Sequence, residues 1–144
     1  MIFLSYISNM TKNLDNFGLK SIAGNYDLFF IDLWGVVHNG IKLYEDSIEV
    51  LDNLSKAKKN FILLTNAPRP NESVINFLKK IGLKKYFENV FTSGEAAHQY
   101  LVSEFYKQKF FHIGPPRDFD LFKNIEKNNV VNIEDCDYLL CTGL

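Results

Sequence analysis

Three short stretches of this chain put polar residues where apolar runs end. Leu28-Phe29-Phe30-Ile31-Asp32-Leu33 is apolar but for one acid near its end, Asp32, and Trp34 and Gly35 follow directly. Phe61-Ile62-Leu63-Leu64-Thr65 runs into Asn66-Ala67-Pro68-Arg69-Pro70, and Val90-Phe91-Thr92 runs into Ser93-Gly94-Glu95. Continuous apolar runs of this length suit strands buried on both faces, as in a parallel sheet. Ligands of such sheets bind beyond the carboxyl ends of the strands. Asp32, Thr65-Asn66 and Thr92-Ser93-Gly94 are therefore functional candidates by position. Turn chemistry and helix capping account for Thr92 and Ser93. They account poorly for Asp32, an acid set inside an apolar run.

The elements that must position these residues alternate between strand and helix. From Glu45 to Lys59, Ile48, Leu51, Leu54 and Ala57 recur every three residues, the period of an amphipathic helix. Asn71 is placed to cap a second helix with Val74, Ile75, Leu78 and Ile81 on its apolar side and Gly82 at its end. Thr92-Ser93-Gly94-Glu95 fits a capping box that opens a third, with Ala96, Ala97, Tyr100 and Leu101 facing inward. This order predicts an α/β fold with a right-handed, doubly wound parallel sheet. After Lys107 the rhythm restarts. Phe110–Ile113, Val130–Ile133 and Tyr138–Cys141 are strand candidates, with a helix over Phe119–Asn128. The sequence stops at Thr142-Gly143-Leu144, where a parallel strand would lead into a crossover, so the stop reads as premature.

Composition narrows the classes. The 144 residues suffice for one compact domain, or for one domain and part of another. With 47% hydrophobic and 23% charged residues, 8 Gly and 4 Pro, the chain is no disordered or Pro-rich tail. Sixteen basic against 17 acidic residues give a net charge of -1, which excludes a nucleic-acid binder working by phosphate neutralisation. Cys136 and Cys141 match no zinc or redox spacing and read as reduced thiols of a cytoplasmic protein. No segment reaches the roughly 18 apolar residues of a membrane span. The apolar start, Met1 to Ile7, lacks a basic region and a cleavage site; we read residues 1–9 as a dispensable extension, with Met10 as an alternative start. Neither Gly-x-Gly-x-x-Gly nor Gly-Lys-Ser/Thr occurs, so those nucleotide cradles are excluded. His38, His98 and His112 are too scattered for a zinc site, and Lys79, Lys80, Lys84 and Lys85 read as a solvated helix end.

The run Asp32-Leu33-Trp34-Gly35-Val36-Val37-His38-Asn39-Gly40 resembles the first motif of the haloacid dehalogenase (HAD) superfamily, in which an Asp ends the first strand. Leu63-Leu64-Thr65-Asn66 is similar to its second motif, and Phe91-Thr92-Ser93-Gly94-Glu95 to the Thr-Ser turn of subclass IIA, the p-nitrophenylphosphatase-like and sugar-phosphatase-like enzymes. The resemblance covers about residues 20–144. It implies a partial Rossmann-like HAD core over residues 20–107, a truncated α/β cap over 108–144 and an N-terminal extension over 1–19. It also implies that Asp32 attacks phosphorus in line and forms an aspartyl-phosphate that water hydrolyses. Mg²⁺ would be held by the Asp32 carboxylate and the Trp34 backbone carbonyl, oxygen ligands that suit the ion. Thr65, the Asn66 N–H and the Gly35 turn would meet the phosphate. Arg69 would reach substrate or cap, unless it serves only the loop between its flanking prolines.

Two departures modify this picture. The family's second Asp, two residues after the nucleophile, is here Trp34, whose indole cannot act as a general acid near neutrality. General acid–base help is worth about 10²–10⁴ in rate, so poor leaving groups would react slowly. His38 is the nearby substitute donor, unless it is simply an exposed histidine of the flap. The later motifs, a Lys and an acidic pair completing the metal site, do not occur in this sequence; Lys84, Lys85, Asp135 and Asp137 are misplaced for them. The implied Mg²⁺ site is therefore weak or absent, and the chain alone is expected to be inactive.

The resemblance also implies that the first strand lacks one neighbour, which leaves Phe29, Phe30 and Ile31 on an open sheet edge. Marginal stability, homo-oligomerisation or completion by a C-terminal fragment would follow. The substrate would be a small phosphorylated metabolite, with neither nucleic acid nor membrane as partner. The alternative is a non-catalytic, partner-binding module that keeps the fold. A receiver-type phosphoacceptor also has an Asp at a strand end, but its extra acids and later Lys are not found.

Overall fold

A computed structural model describes residue 14 and residues 17–143. The expected N-terminal extension lies mostly outside them. The element order is β1 (Leu28–Asp32), α1 (Glu45–Lys56), β2 (Asn60–Thr65), α2 (Asn71–Lys80), β3 (Val90–Thr92), α3 (Ser93–Glu104), β4 (Phe110–Ile113) and β5 (Tyr138–Cys141). Short 3-10 turns, the longest at Pro116–Phe122, join them. Strands β1, β2 and β3 form a parallel sheet in that order, and β4 pairs with β5, also in parallel, in a second sheet. This is the partial α/β, Rossmann-like parallel sheet that the resemblance implies, but among the described residues α1 and α2 lie on one face, so the doubly wound layering expected from the alternating pattern is not seen.

One sheet face is packed and the other is not. Phe61, Leu63 and Val90 point into a core closed by Leu51 and Leu54 of α1 and Val74 and Leu78 of α2. Phe29 and Ile31 of β1 pack against the same core. Alternation sends the intervening residues to the opposite face, where Leu28 is 46%, Phe30 65% and Leu64 40% exposed. The expectation that β1 is buried on both faces is thus corrected. Both α1 and α2 cover the same side, so Phe30 has no partner layer, and β1 is the edge strand. The expected open edge is there, with Phe30 on it bare and Phe29 and Ile31 half-buried.

Three local expectations are also revised. Asn71 does not cap α2: Pro70 holds the cap position, and the Asn71 Oδ1 accepts the Thr92 N–H at 3.0 Å. Thr92 does cap α3, its Oγ1 accepting the Glu95 N–H at 2.8 Å. The Glu95 carboxylate, however, accepts from the Asn71 N–H at 3.1 Å rather than closing a capping box. Ala96, Ala97 and Tyr100 are exposed, and of the four residues expected to face inward only Leu101 is buried. It belongs to a second core with Phe110, Leu121, Phe122 and Ile125.

Beyond Lys107, β4 and β5 form where expected, but Val130–Ile133 is not a strand. Asn129 makes a single bridge to Phe110, after which the chain leaves the sheet and Val131 is 90% exposed. The helix expected over Phe119–Asn128 is two 3-10 segments, Pro116–Phe122 and Glu126–Asn128. Asn124, left-handed at φ 74°, breaks it.

Candidate functional site

The sheet brings the two leading candidates to the same end. Asp32 is the last residue of β1 and pairs in register with Leu64, so Thr65 is one step further along the adjacent strand. Asp32 is exposed, whereas Thr65 is buried and lies beside Thr92 of β3. The Thr65 Oγ1 accepts the Ala67 N–H at 3.3 Å, which leaves its own hydroxyl proton free to be donated. Asn66 follows, exposed, at the start of the loop.

The turn after Asp32 is built around two buried anchors, Leu33 and Val37. The Leu33 carbonyl accepts the N–H groups of Val36, Val37 and His38 at 3.3, 2.8 and 3.1 Å. Gly35 sits at φ 76°, a conformation that favours glycine, and its N–H donates to the His38 carbonyl at 2.8 Å. Residues 34 to 36 are thereby turned outward, and the Trp34 ring is 64% exposed.

His38 is buried, not an exposed flap residue: it is 5% accessible, with Trp34 and Phe77 edge-on at ring distances of 5.7 and 5.3 Å. Its Nδ1 accepts the Gly40 N–H at 3.0 Å, which assigns the ring proton of the neutral form to Nε2. Burial holds its pKa below the ordinary histidine value, against the opposing pull of the Asp32 charge.

Arg69 reaches away from the strand ends. Its Nη2 donates to the Asp120 Oδ2 at 3.0 Å and to the Arg117 carbonyl at 3.2 Å, both in the Pro116–Phe122 turn. The Ser73 hydroxyl donates to the same Asp120 oxygen. The loop that follows Thr65 is clamped from the other side: Thr92 Oγ1 donates to the Arg69 carbonyl at 2.5 Å, and Ser93 Oγ and the Gly94 N–H both donate to the Ala67 carbonyl at 3.0 Å. Asp120 and Ser73 escape the sequence reading, and Asn71 reads there as a helix cap, because their partners lie 21 to 51 residues away.

Asp32 and the Trp34 carbonyl are the donors the resemblance assigns to Mg²⁺. Among the described residues no three His, Cys, Asp or Glu side chains gather into a metal site. One carboxylate and one carbonyl do not by themselves fit the near-octahedral demand of that ion. Two surface hollows, one lined by Lys59, Asn60 and Tyr86 and one by Leu19, Val50 and Leu54, lie away from Asp32 and Thr65. No described helix is long and apolar enough to cross a membrane.

In a parallel α/β sheet, an acid at the end of the first strand and a Thr-Asn pair at the end of the next stand where ligands of such sheets bind. The family profile of haloacid dehalogenase-like hydrolases matches residues 29–127, and the chain belongs to that family. Among solved structures it is similar to a haloacid dehalogenase-like hydrolase from Brucella suis 1330, with 31% identity and a TM-score of 0.76 over 88% of this chain and 48% of that one. The 4-nitrophenylphosphatase of Thermotoga maritima shares its fold at 24% identity and a TM-score of 0.65, over 83% of this chain and 46% of that one. So does a glycerol phosphate phosphatase from Mycobacterium tuberculosis solved in complex with calcium, at 24% identity and a TM-score of 0.60, over 83% and 36%. The chain spans about half the length of these proteins, or less. A search of curated protein sequences returns no match.

Proposed function

We propose that this chain carries the nucleophile half of a phosphate-ester hydrolase. The observation that carries the reading is that an exposed Asp32 ends β1 and Thr65 ends the neighbouring parallel strand β2, one position beyond Leu64, the register partner of Asp32. In the proposed reaction an Asp32 oxygen attacks phosphorus, the P–O bond to the ester oxygen breaks, and the alcohol departs as its anion. Water then attacks the acyl-phosphate, releasing phosphate and restoring the carboxylate. Thr65 donates its free hydroxyl proton to a phosphoryl oxygen, with the Asn66 N–H alongside, and Gly35 sets the turn that opens the approach. Positioning and electrostatics of this kind are most of what phosphoryl transfer needs.

The remaining charge neutralisation has to come from residues other than those described, and we read the bare face at Leu28, Phe30 and Leu64 as the surface on which a C-terminal fragment or a second copy would complete the site. Residues 108–144, with their own sheet and core, read as the start of the cap. The substrate is a small phosphorylated metabolite.

Hydrolysis of p-nitrophenyl phosphate, measured with and without Mg²⁺, tests the reading. Turnover lost in Asp32→Asn supports it, and turnover indifferent to that change overturns it. Zero turnover is expected of the chain alone, and phosphate binding then decides: no binding at Asp32 and Thr65 favours a second reading, a partner-binding module, which the exposed apolar face also fits.

A further inference from the structure

Position 34 holds the one tryptophan of the sequence, and its neighbours give that ring a defined orientation. Gly40 packs against the indole: its φ of 86° favours glycine, and a Cβ built there would fall 2.6 Å from the ring. His38 meets the indole edge-to-face at 5.7 Å and 90°, and is itself fixed by the Gly40 N–H and by Phe77. One side of the ring is thus braced by backbone and imidazole, while 64% of the residue stays open to solvent. An aromatic group held this way offers a face for stacking without a further loss of side-chain freedom. It stands two residues after Asp32, and the Asp32 charge acts on the same His38 that braces it.

We propose that Trp34 is a specificity residue that stacks on the leaving group, so that the site favours phosphate esters of planar aromatic alcohols. The proposal rests on the phosphohydrolase reading and extends it to the substrate class. A second observation points the same way. The Trp34 indole has no titratable proton near neutrality, and His38 is buried, with its Nδ1 taken by Gly40. A site in which neither of these two residues presents an acid suits a leaving group that departs as a stable anion. Phenols, with pKa near 10 as in tyrosine, do so far more readily than aliphatic alcohols.

The test uses the whole chain and its single indole as reporter. Phenyl phosphate, glycerol phosphate and inorganic phosphate are titrated separately, with tryptophan emission recorded alongside calorimetric dissociation constants. Phenyl phosphate is expected to perturb the emission and to bind about five-fold or more tightly than inorganic phosphate, the low end of aromatic stacking. Glycerol phosphate should show no such gain. The ratio of phenyl to inorganic phosphate affinity should fall to about one in Trp34→Leu and recover in Trp34→Phe, which keeps a π-face. Equal binding of all three ligands to the unaltered chain overturns the stacking role and leaves the phosphate site standing. Binding of none overturns both readings.

Discussion

Gly94 sits directly against the backbone of Arg69: a Cβ on it would lie 2.2 Å from the Arg69 nitrogen. The turn that opens α3 is therefore pressed onto the loop that follows Thr65. Together with the hydrogen bonds from Thr92 and Ser93 it fixes where that loop leaves the sheet. The atoms in contact are main chain, so no side-chain rotation relieves an added methyl group. Gly94→Ala should cost about 1–3 kcal/mol, the range for overpacking. Its urea midpoint should fall accordingly, with the amide resonances of residues 65 to 69 displaced. A midpoint equal to that of the unaltered chain would show that this approach is not tight in solution.

Arg69 and Asp120 link the first core to the Pro116–Phe122 turn, and Ser73 shares the same carboxylate oxygen. Both charged side chains are partly solvated, at 42% and 30% exposure, so the pair contributes below about 1 kcal/mol. A double-mutant cycle over Arg69→Ala and Asp120→Ala should give a small favourable coupling. Hydrogen exchange at residues 116 to 122 should quicken in either single variant. Unchanged exchange would mean that the turn is held by Leu121 and Phe122 alone.

The pH dependence of stability follows from two histidines. Burial lowers the pKa of both His38 and His112 from 6.5, opposed by Asp32 in one case and by Asp118 in the other. The folded state therefore prefers the neutral rings, and the unfolded chain takes up protons first as the pH falls. Their contribution is complete above pH 6.5 and is lost as the pH drops through their lowered values. Urea midpoints should decline between about pH 8 and about pH 5, and less steeply in His38→Gln. An equal slope in that variant would remove His38 from the account.

Much of the frame was legible in the sequence, and the reasons for the rest are physical. Apolar runs ending in Asp32, Thr65 and Thr92 announced three strands, because backbone pairing and burial both favour such runs. How many faces of β1 are covered was not legible, since Phe30 reads alike whether or not another layer lies over it. The 3-10 turns replaced a helix through one left-handed residue, Asn124, which periodicity does not reveal. Within the candidate site, the strand-end placement of Asp32 and Thr65 could be read from position along the chain. The burial of His38 could not, because it depends on Phe77 of α2, far along the sequence.

The open face makes a separate prediction. Phe30, 65% exposed beside Leu64, should drive concentration-dependent association of the isolated chain. Sedimentation velocity of Phe30→Ser should show less association, with the stability of the monomer changed by about 0.5 kcal/mol or less, as for a surface site. Equal association in both proteins would place the contact elsewhere.

The central claim is that the ends of β1 and β2 form a phosphate site. The most direct measurement is a titration of the isotopically labelled chain with inorganic phosphate, followed by amide NMR. The amides of Asp32, Thr65 and Asn66 are predicted to shift together and to saturate with a single dissociation constant. Shifts confined to other residues, or none at these three, would contradict the account.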